Sequence, residues 1–207
     1  MRTARSNAAA ERHIRALELA RDCVQLGART RTVEVLTGLS ASQINRLFHG
    51  HPRPSQRGRP PDSREWYYTT DLPNRIQSCM LVSIYRRLCK VGIDPARALV
   101  QGYAHYVAAC KGRPRLNMDR AFDLVSHFDG RWVASQRSFS LATCPACASQ
   151  FLTGLLASNG AAAECPFCKL LERFPRDPRI QDSFAAVEVG EPPEVLLPIG
   201  LVLRAMR

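Results

Sequence analysis

The chain has 207 residues, 45% of them apolar, with 29 basic and 18 acidic side chains, a net charge of +11 and a pI near 9.8. That length supports one real core plus a small appendage, and that apolar content excludes a disordered polymer. The charge imbalance points to anionic partners, nucleic acid first and a membrane surface second.

Residues 1–10 read as a loose basic lead, with a helix expected from about His13. Ile14, Leu17, Cys23 or Val24, and Leu26 or Gly27 recur at helical spacing and leave Arg12, Arg15 and Arg21 for solvent; Gly27 ends the helix. Acidic residues Glu11, Glu18 and Asp22 interrupt any signal or transit pattern. The longest late apolar run, "VLLPIGLVL", is too short to span a bilayer and is broken by Pro198 and Gly200. We therefore expect a soluble, cytoplasmic protein with no membrane role, whose eight cysteines stay unpaired in a reducing compartment.

"RTRTVEVLTGLSASQINRLFHG" predicts a short helix over Thr32–Thr37, a turn at Gly38, a capping Ser40 and a second helix from Ala41 to His49. Val33, Leu36, Leu39, Ile44 and Leu47 face inward. This is the pattern of a helix-turn-helix, and equally of two plainly packed helices. In the first case Ser42, Gln43, Asn45 and Arg46 occupy the outer face of the second helix. Gln and Asn suit adenine edges there, and Arg suits guanine or phosphate. Residues 49–63 then form a linker rich in Pro, Gly and Arg. Its "RGRPP" matches an AT-hook core, in which Arg57 and Arg59 would enter a narrow minor groove; the alternative is a solvated basic linker.

"LPNRIQSCMLVSIYRRLCKVG" places Ile76, Met80, Ile84 and Leu88 four apart, with Cys79, Leu81 and Tyr85 beside them. Asp94-Pro95 opens a helix carrying Leu99, Tyr103, Tyr106, Val107 and Cys110. Asn117 caps a third, with Met118, Phe122, Val125 and Trp132 inward. Three amphipathic helices with short breaks make a bundle. Around Phe139, Leu141 and Phe151 the period shortens to that of short strands. After Lys169 the chain becomes Pro-rich with no clear period, which predicts a flexible tail with at most a short docking segment.

The strands flank two Cys-x-x-Cys hooks, Cys144/Cys147 and Cys165/Cys168, seventeen residues apart. Two such hooks can meet to place four thiolates in a tetrahedron, the arrangement that suits Zn²⁺; iron in the same ligand set is the alternative. Phe139, Phe151, Leu152 and Phe167 are expected to pack around the centre, and Lys169 and Arg173 to offset its charge. Four thiolates leave no open metal position, and no histidine is followed two residues on by Glu as in the zinc deaminases. We expect one structural Zn²⁺ per chain and no catalytic residues. No Gly-rich phosphate loop, Gly-x-Ser-x-Gly or His-Glu-x-x-His occurs either, so the chain does not read as an enzyme. The other cysteines, Cys23, Cys79, Cys89 and Cys110, read as small core residues.

The fold class is thus mainly α: a helical bundle with an N-terminal helix-turn-helix-like segment and a small C-terminal zinc-ribbon-like module. The expected division is a helical domain over 1–135, a zinc-binding module over 136–172 and a flexible tail over 173–207.

"LGARTRTVEVLTGLS" with the Pro-rich linker after it, "REWYYTTDLPNRIQSCMLV", "ALVQGYAHYV" and the terminal "CPAC…CPFC" together resemble FlhC, the family of bacterial flagellar master-regulator subunits. The resemblance runs from about residue 13 to 170, and its most useful markers are Leu26–Arg29 and the paired cysteines, in that order. It implies a hetero-oligomer with FlhD that binds double-stranded DNA upstream of flagellar operons and recruits RNA polymerase. It also implies a zinc held by four cysteines, which match Cys144, Cys147, Cys165 and Cys168 here. No base-contacting residue carries over, and the "RGRPP" linker and the tail depart from the family's pattern. The competing expectation is a zinc-stabilised scaffold for a protein complex, without sequence-specific DNA binding.

Overall fold

Helix starts in this chain carry their own punctuation. Asp71 accepts from the amide of Asn74, Asp94 from Ala96 and Arg97, Asn117 from Arg120, and Asp177 from Arg179 and Ile180. Each satisfies donors that the first helical turn leaves free, and Pro95 and Pro178 stand where their missing N–H costs nothing. Gly38 and Gly130 close helices in the left-handed conformation, at φ of 73° and 68°.

The computed structural model describes residues 2–48, 63–111, 113–155 and 164–184. In chain order its elements are α1 (Arg2–Gln25), α2 (Thr30–Thr37), α3 (Ala41–Leu47), α4 (Trp66–Thr69), α5 (Leu72–Lys90), α6 (Pro95–Ala109), α7 (Met118–Asp129), β1 (Phe139–Thr143), β2 (Gln150–Gly154), α8 (Pro166–Arg173) and α9 (Pro178–Ser183). The fold is mainly helical, as the periodicity predicts. Among the described residues no helix is long and apolar enough to cross a membrane.

α5 is the axis of the molecule. It packs on α4, α6, α7, β2, α8 and α9, and even its polar Asn74, Arg75, Gln77 and Ser78 are buried. Gln77 earns its place through a network. Its side-chain oxygen accepts from the hydroxyl of Tyr106 and, at 2.8 Å, from the amide of Arg115. The Tyr106 oxygen in turn accepts from the amide of Leu116 at 3.1 Å. The turn after α6 is thereby tied to α5 through the Gln77 side chain.

One continuous core runs from Ala20 and Cys23 of α1 through Tyr67, Leu81, Tyr85, Leu99, Tyr106 and Leu124 to Phe139, Cys144, Phe151 and Cys165. The helical segment and the cysteine segment therefore share their apolar interior. β1 and β2 form an antiparallel hairpin with Leu141 opposite Leu152, and Phe139 meets Tyr67 and Tyr68 edge-on at 5.9 and 6.0 Å.

Four expectations change. The basic lead is the start of α1, because Ala8, Ala9 and Ala10 are strong helix formers with no Gly or Pro among them. Ile14 is 54% exposed, since α1 runs past the body there. Leu47 is 50% exposed, because α3 is too short to fold its last turn onto the core. Residues 173–184, expected in the tail, complete α8 and form α9, whose Ile180 is buried against Leu72 and Ile76 of α5. The linker over residues 49–62 and the remaining tail over 185–207 lie outside the described residues.

Candidate metal centre and nucleic-acid interface

The hairpin delivers the first hook. Cys144 follows β1, and its amide donates to the carbonyl of Ser149 while the amide of Ala148 donates back to Cys144, both at 2.9 Å. This tight knuckle needs Ala148 at φ 58°. The second hook opens a helix instead. Cys165 is the N-cap of α8, Pro166 its first residue, and Cys168 lies in its first turn.

The two hooks meet. All four sulfurs lie within 4.8 Å of one another, with Cys144–Cys168 and Cys147–Cys165 each at 3.7 Å. Those separations are far beyond the roughly 2.05 Å of a disulfide. They match the edge of a tetrahedron with metal–sulfur bonds of about 2.3 Å, which is about 3.8 Å. The donor set thus fits a metal ion, and four sulfurs close its coordination. Without an ion the thiols differ. Hydrogen bonds from the Ser149 hydroxyl and amide hold Cys147 down at about 6, whereas sharing with the Cys147 and Cys144 sulfurs pushes Cys168 up to about 12. Burial raises Cys165, against the opposing amides of Cys168 and Phe167.

α5 supports both hooks from behind. The buried guanidinium of Arg75 donates to the carbonyl of Glu164, directly before Cys165, at 2.6 Å. One turn on, Cys79 accepts from the amide of Leu152 in β2 at 3.3 Å. Burial keeps this thiol protonated, raised to about 11. Arg75, Cys79 and Ser149 are site residues that the hook spacing does not reveal. Arg75 and Cys79 do stand four apart on one helix face, which is the local signal they carry. The expected counter-charges differ as well. Lys169 is paired with Glu164 at 2.5 Å and Arg173 with Asp177 at 2.6 Å, because each has an acidic neighbour within reach. Phe151 and Leu152 are buried and Phe167 is half-buried, as expected, but Phe139 stands at the other end of β1 from Cys144 and packs on Tyr67 and Tyr68 instead.

The N-terminal helix pair has the predicted turn. Gly38 bends left-handed, Leu39 is buried and Ser40 caps α3 in a reciprocal capping box with Gln43. The Gln43 side-chain oxygen accepts from both the amide and the hydroxyl of Ser40 at 2.9 Å, and the Ser42 hydroxyl lies 3.0 Å from that of Ser40. Two of the four candidate base readers are thus engaged within their own helix start. Asn45 and Arg46 are exposed. Arg57 and Arg59 lie outside the described residues.

The Leu26–Arg29 turn has a structural purpose. Gly27 takes φ 79°, and the turn delivers the amide of Arg29 to Asp119 of α7 at 3.0 Å. The Thr32 hydroxyl joins on the same oxygen at 2.7 Å, and the Arg29 guanidinium pairs with the other at 3.4 Å.

Residues 6–179 match the family described as flagellar transcriptional activator (FlhC). Among curated relatives, the flagellar transcriptional regulator FlhC of Variovorax paradoxus is 32% identical over 145 residues, covering 67% of each chain. That of Proteus mirabilis is 32% identical over 153 residues, covering 69% of this chain and 72% of its own. That of Pectobacterium carotovorum is 26% identical over 178 residues, covering 83% of this chain and 87% of its own. With a match that spans most of its length, the chain belongs to the FlhC family of flagellar transcriptional activators.

Proposed function

We propose that this protein is the DNA-contacting subunit of a cytoplasmic activator of flagellar operons, working as a hetero-oligomer with FlhD and recruiting RNA polymerase. The observation that carries the reading is a charge of +11 on a member of a transcriptional activator family. The exposed Asn45 and Arg46 of α3, together with Arg57 and Arg59 of the linker, are the candidate DNA contacts. Ser42 and Gln43, the other candidate contacts on α3, also hydrogen-bond at the start of the helix.

The ion at Cys144, Cys147, Cys165 and Cys168 is Zn²⁺ in this reading, one per chain. Bound there, it supplies a closed structural cross-link and no reaction. Cys165 fixes the start of α8, Cys144 and Cys147 fix the knuckle of the hairpin, and Arg75 anchors the backbone between them. Metal analysis together with absorption-edge spectroscopy tests this: one zinc with four sulfur ligands is expected, and any light-atom ligand would overturn the closed site.

Gel-shift titration of promoter DNA across a salt series, with and without FlhD, tests the DNA reading. We expect promoter preference with log affinity falling steeply in log salt, by about 0.9 per phosphate contact neutralised. Equal binding to unrelated DNA at every salt concentration would favour the scaffold instead.

A further inference from the structure

The end of the hairpin far from Cys144 borders a concavity. A cleft of 470 Å³ opens where α4, the end of α7, the loop over residues 131–138 and the end of the hairpin meet. That volume lies in the range of small-molecule pockets, and its lining divides into two chemistries. One part is cationic and hydrogen-bonding, with Arg64, Arg137, Ser135 and Gln136 on it; the carboxylate in the lining is Glu65. The other part is apolar. Phe139 and Tyr68 are buried at its base, while Val133 and Leu155 stand at it 46% and 52% exposed. Large apolar side chains left exposed in a concavity are unexplained by core packing.

The loop that carries Arg137 is held in place at a cost. Trp132 adopts φ 54°, a region that side-chain-bearing residues avoid, and packs on Phe122 with ring centroids 5.6 Å apart. Gly130 is left-handed, and a Cβ there would come within 3.1 Å of the Arg137 amide. Arg131 and Arg137 both reach Asp129, the latter at 3.5 Å with its side chain 66% exposed, so most of its donors stay open to the cleft. No ion pair engages Arg64 among the described residues. A costly loop that presents a guanidinium beside exposed apolar surface is the mark of a preorganised site.

We propose that this cleft binds a small phosphorylated ligand of nucleotide size, with Arg64 and Arg137 on the phosphate and Val133 and Leu155 against the ring. Guanidinium forks suit phosphate oxygens, and the apolar wall suits a flat base. The proposal concerns a free molecule and does not depend on DNA binding by the chain.

Calorimetric titration of the full-length, metal-loaded protein tests it, with adenosine monophosphate, inorganic phosphate and adenosine as separate arms. Saturable binding of the nucleotide is expected, weaker binding of phosphate, and weaker still of the nucleoside. The double variant Arg64→Gln/Arg137→Gln should weaken nucleotide binding at least about tenfold, the loss of charge-assisted contacts. Both side chains are exposed, so folding is preserved, and unchanged helical circular dichroism checks this. Leu155→Asp should weaken the nucleotide more than it weakens phosphate. No saturable nucleotide binding up to millimolar concentration, or equal binding by the double variant, overturns the proposal. Loss of promoter affinity in the double variant with no nucleotide binding by the parent also overturns it, and assigns the arginines to DNA.

Discussion

Asp119 is the side chain on which the first interhelical turn closes. It holds an amide, a hydroxyl and a guanidinium from Arg29 and Thr32, and its own side chain is only 12% exposed. Asp119→Ala should therefore cost on the order of 2–3 kcal/mol, since it orphans donors in a poorly hydrated place. An unfolding free energy from urea titration lowered by less than a quarter of that would show that the turn holds without it. Arg75 acts on the metal centre through backbone. Arg75→Met should still load one ion, but a competing chelator should remove it at least about tenfold faster, because Cys165 loses its fixed carbonyl neighbour. Equal release rates would remove Arg75 from the site. His127 gives the pH response. Burial lowers its pKa below the usual 6.5, against Asp123, which raises it, and Arg64, which lowers it. The unfolded chain then binds the proton more readily, so His127 subtracts stability as pH falls from about 6.5 through the folded value. Thermal melts should show a drop between pH 7.5 and 5.5 that His127→Gln reduces; an identical drop would place the titration elsewhere.

Among the elements, α5 and α9 show what local pattern conveys and what it omits. The four-residue spacing of Ile76, Met80, Ile84 and Leu88 identifies α5 as a helix, and Asp94-Pro95 and Asn117 mark the starts of α6 and α7 correctly. Nothing local reveals that the first half of α5, residues 72–79, is buried all round. Two of its buried polar side chains find partners far along the chain, Arg75 at Glu164 and Gln77 at Tyr106 and Arg115. The hooks are legible because their chemistry lies in four residues of one type at fixed spacing; Ser149 and Cys79 are not, because only the fold brings them against the hooks. α9 is too short for a readable period, and its hold is one side chain in a small cluster. Ile180→Ala should cost about 2 kcal/mol, at the low end for a buried large-to-small change, and should speed amide exchange in α9 ahead of the rest. Uniform exchange would deny α9 its separate docking.

At the scale of the whole molecule, the shared core links metal binding to global stability. Phe139, Cys144, Phe151 and Cys165 belong to the same apolar interior as Leu81 and Leu99. Zinc peptides gain roughly 10–16 kcal/mol from binding, and here that gain would spread into the bundle. Removing the ion, or making Cys165→Ser, should lower the melting temperature of the entire described fold in one transition, with helical circular dichroism and tryptophan fluorescence superimposed. Two separated transitions would mean that the cysteine module is an independent unit.

The burial of the first half of α5 on every side also has a consequence during synthesis. Residues 72–90 leave the ribosome long before 164–184, which supply α8 and α9 and complete the cover over Leu72, Arg75 and Ile76. Until those late residues arrive, and until an ion gathers the two hooks, the central helix keeps an uncovered apolar flank of the kind that chaperones and proteases engage. Metal supply would then set how much of this regulator survives, so that a cell short of the ion would hold fewer intact copies before any promoter is reached.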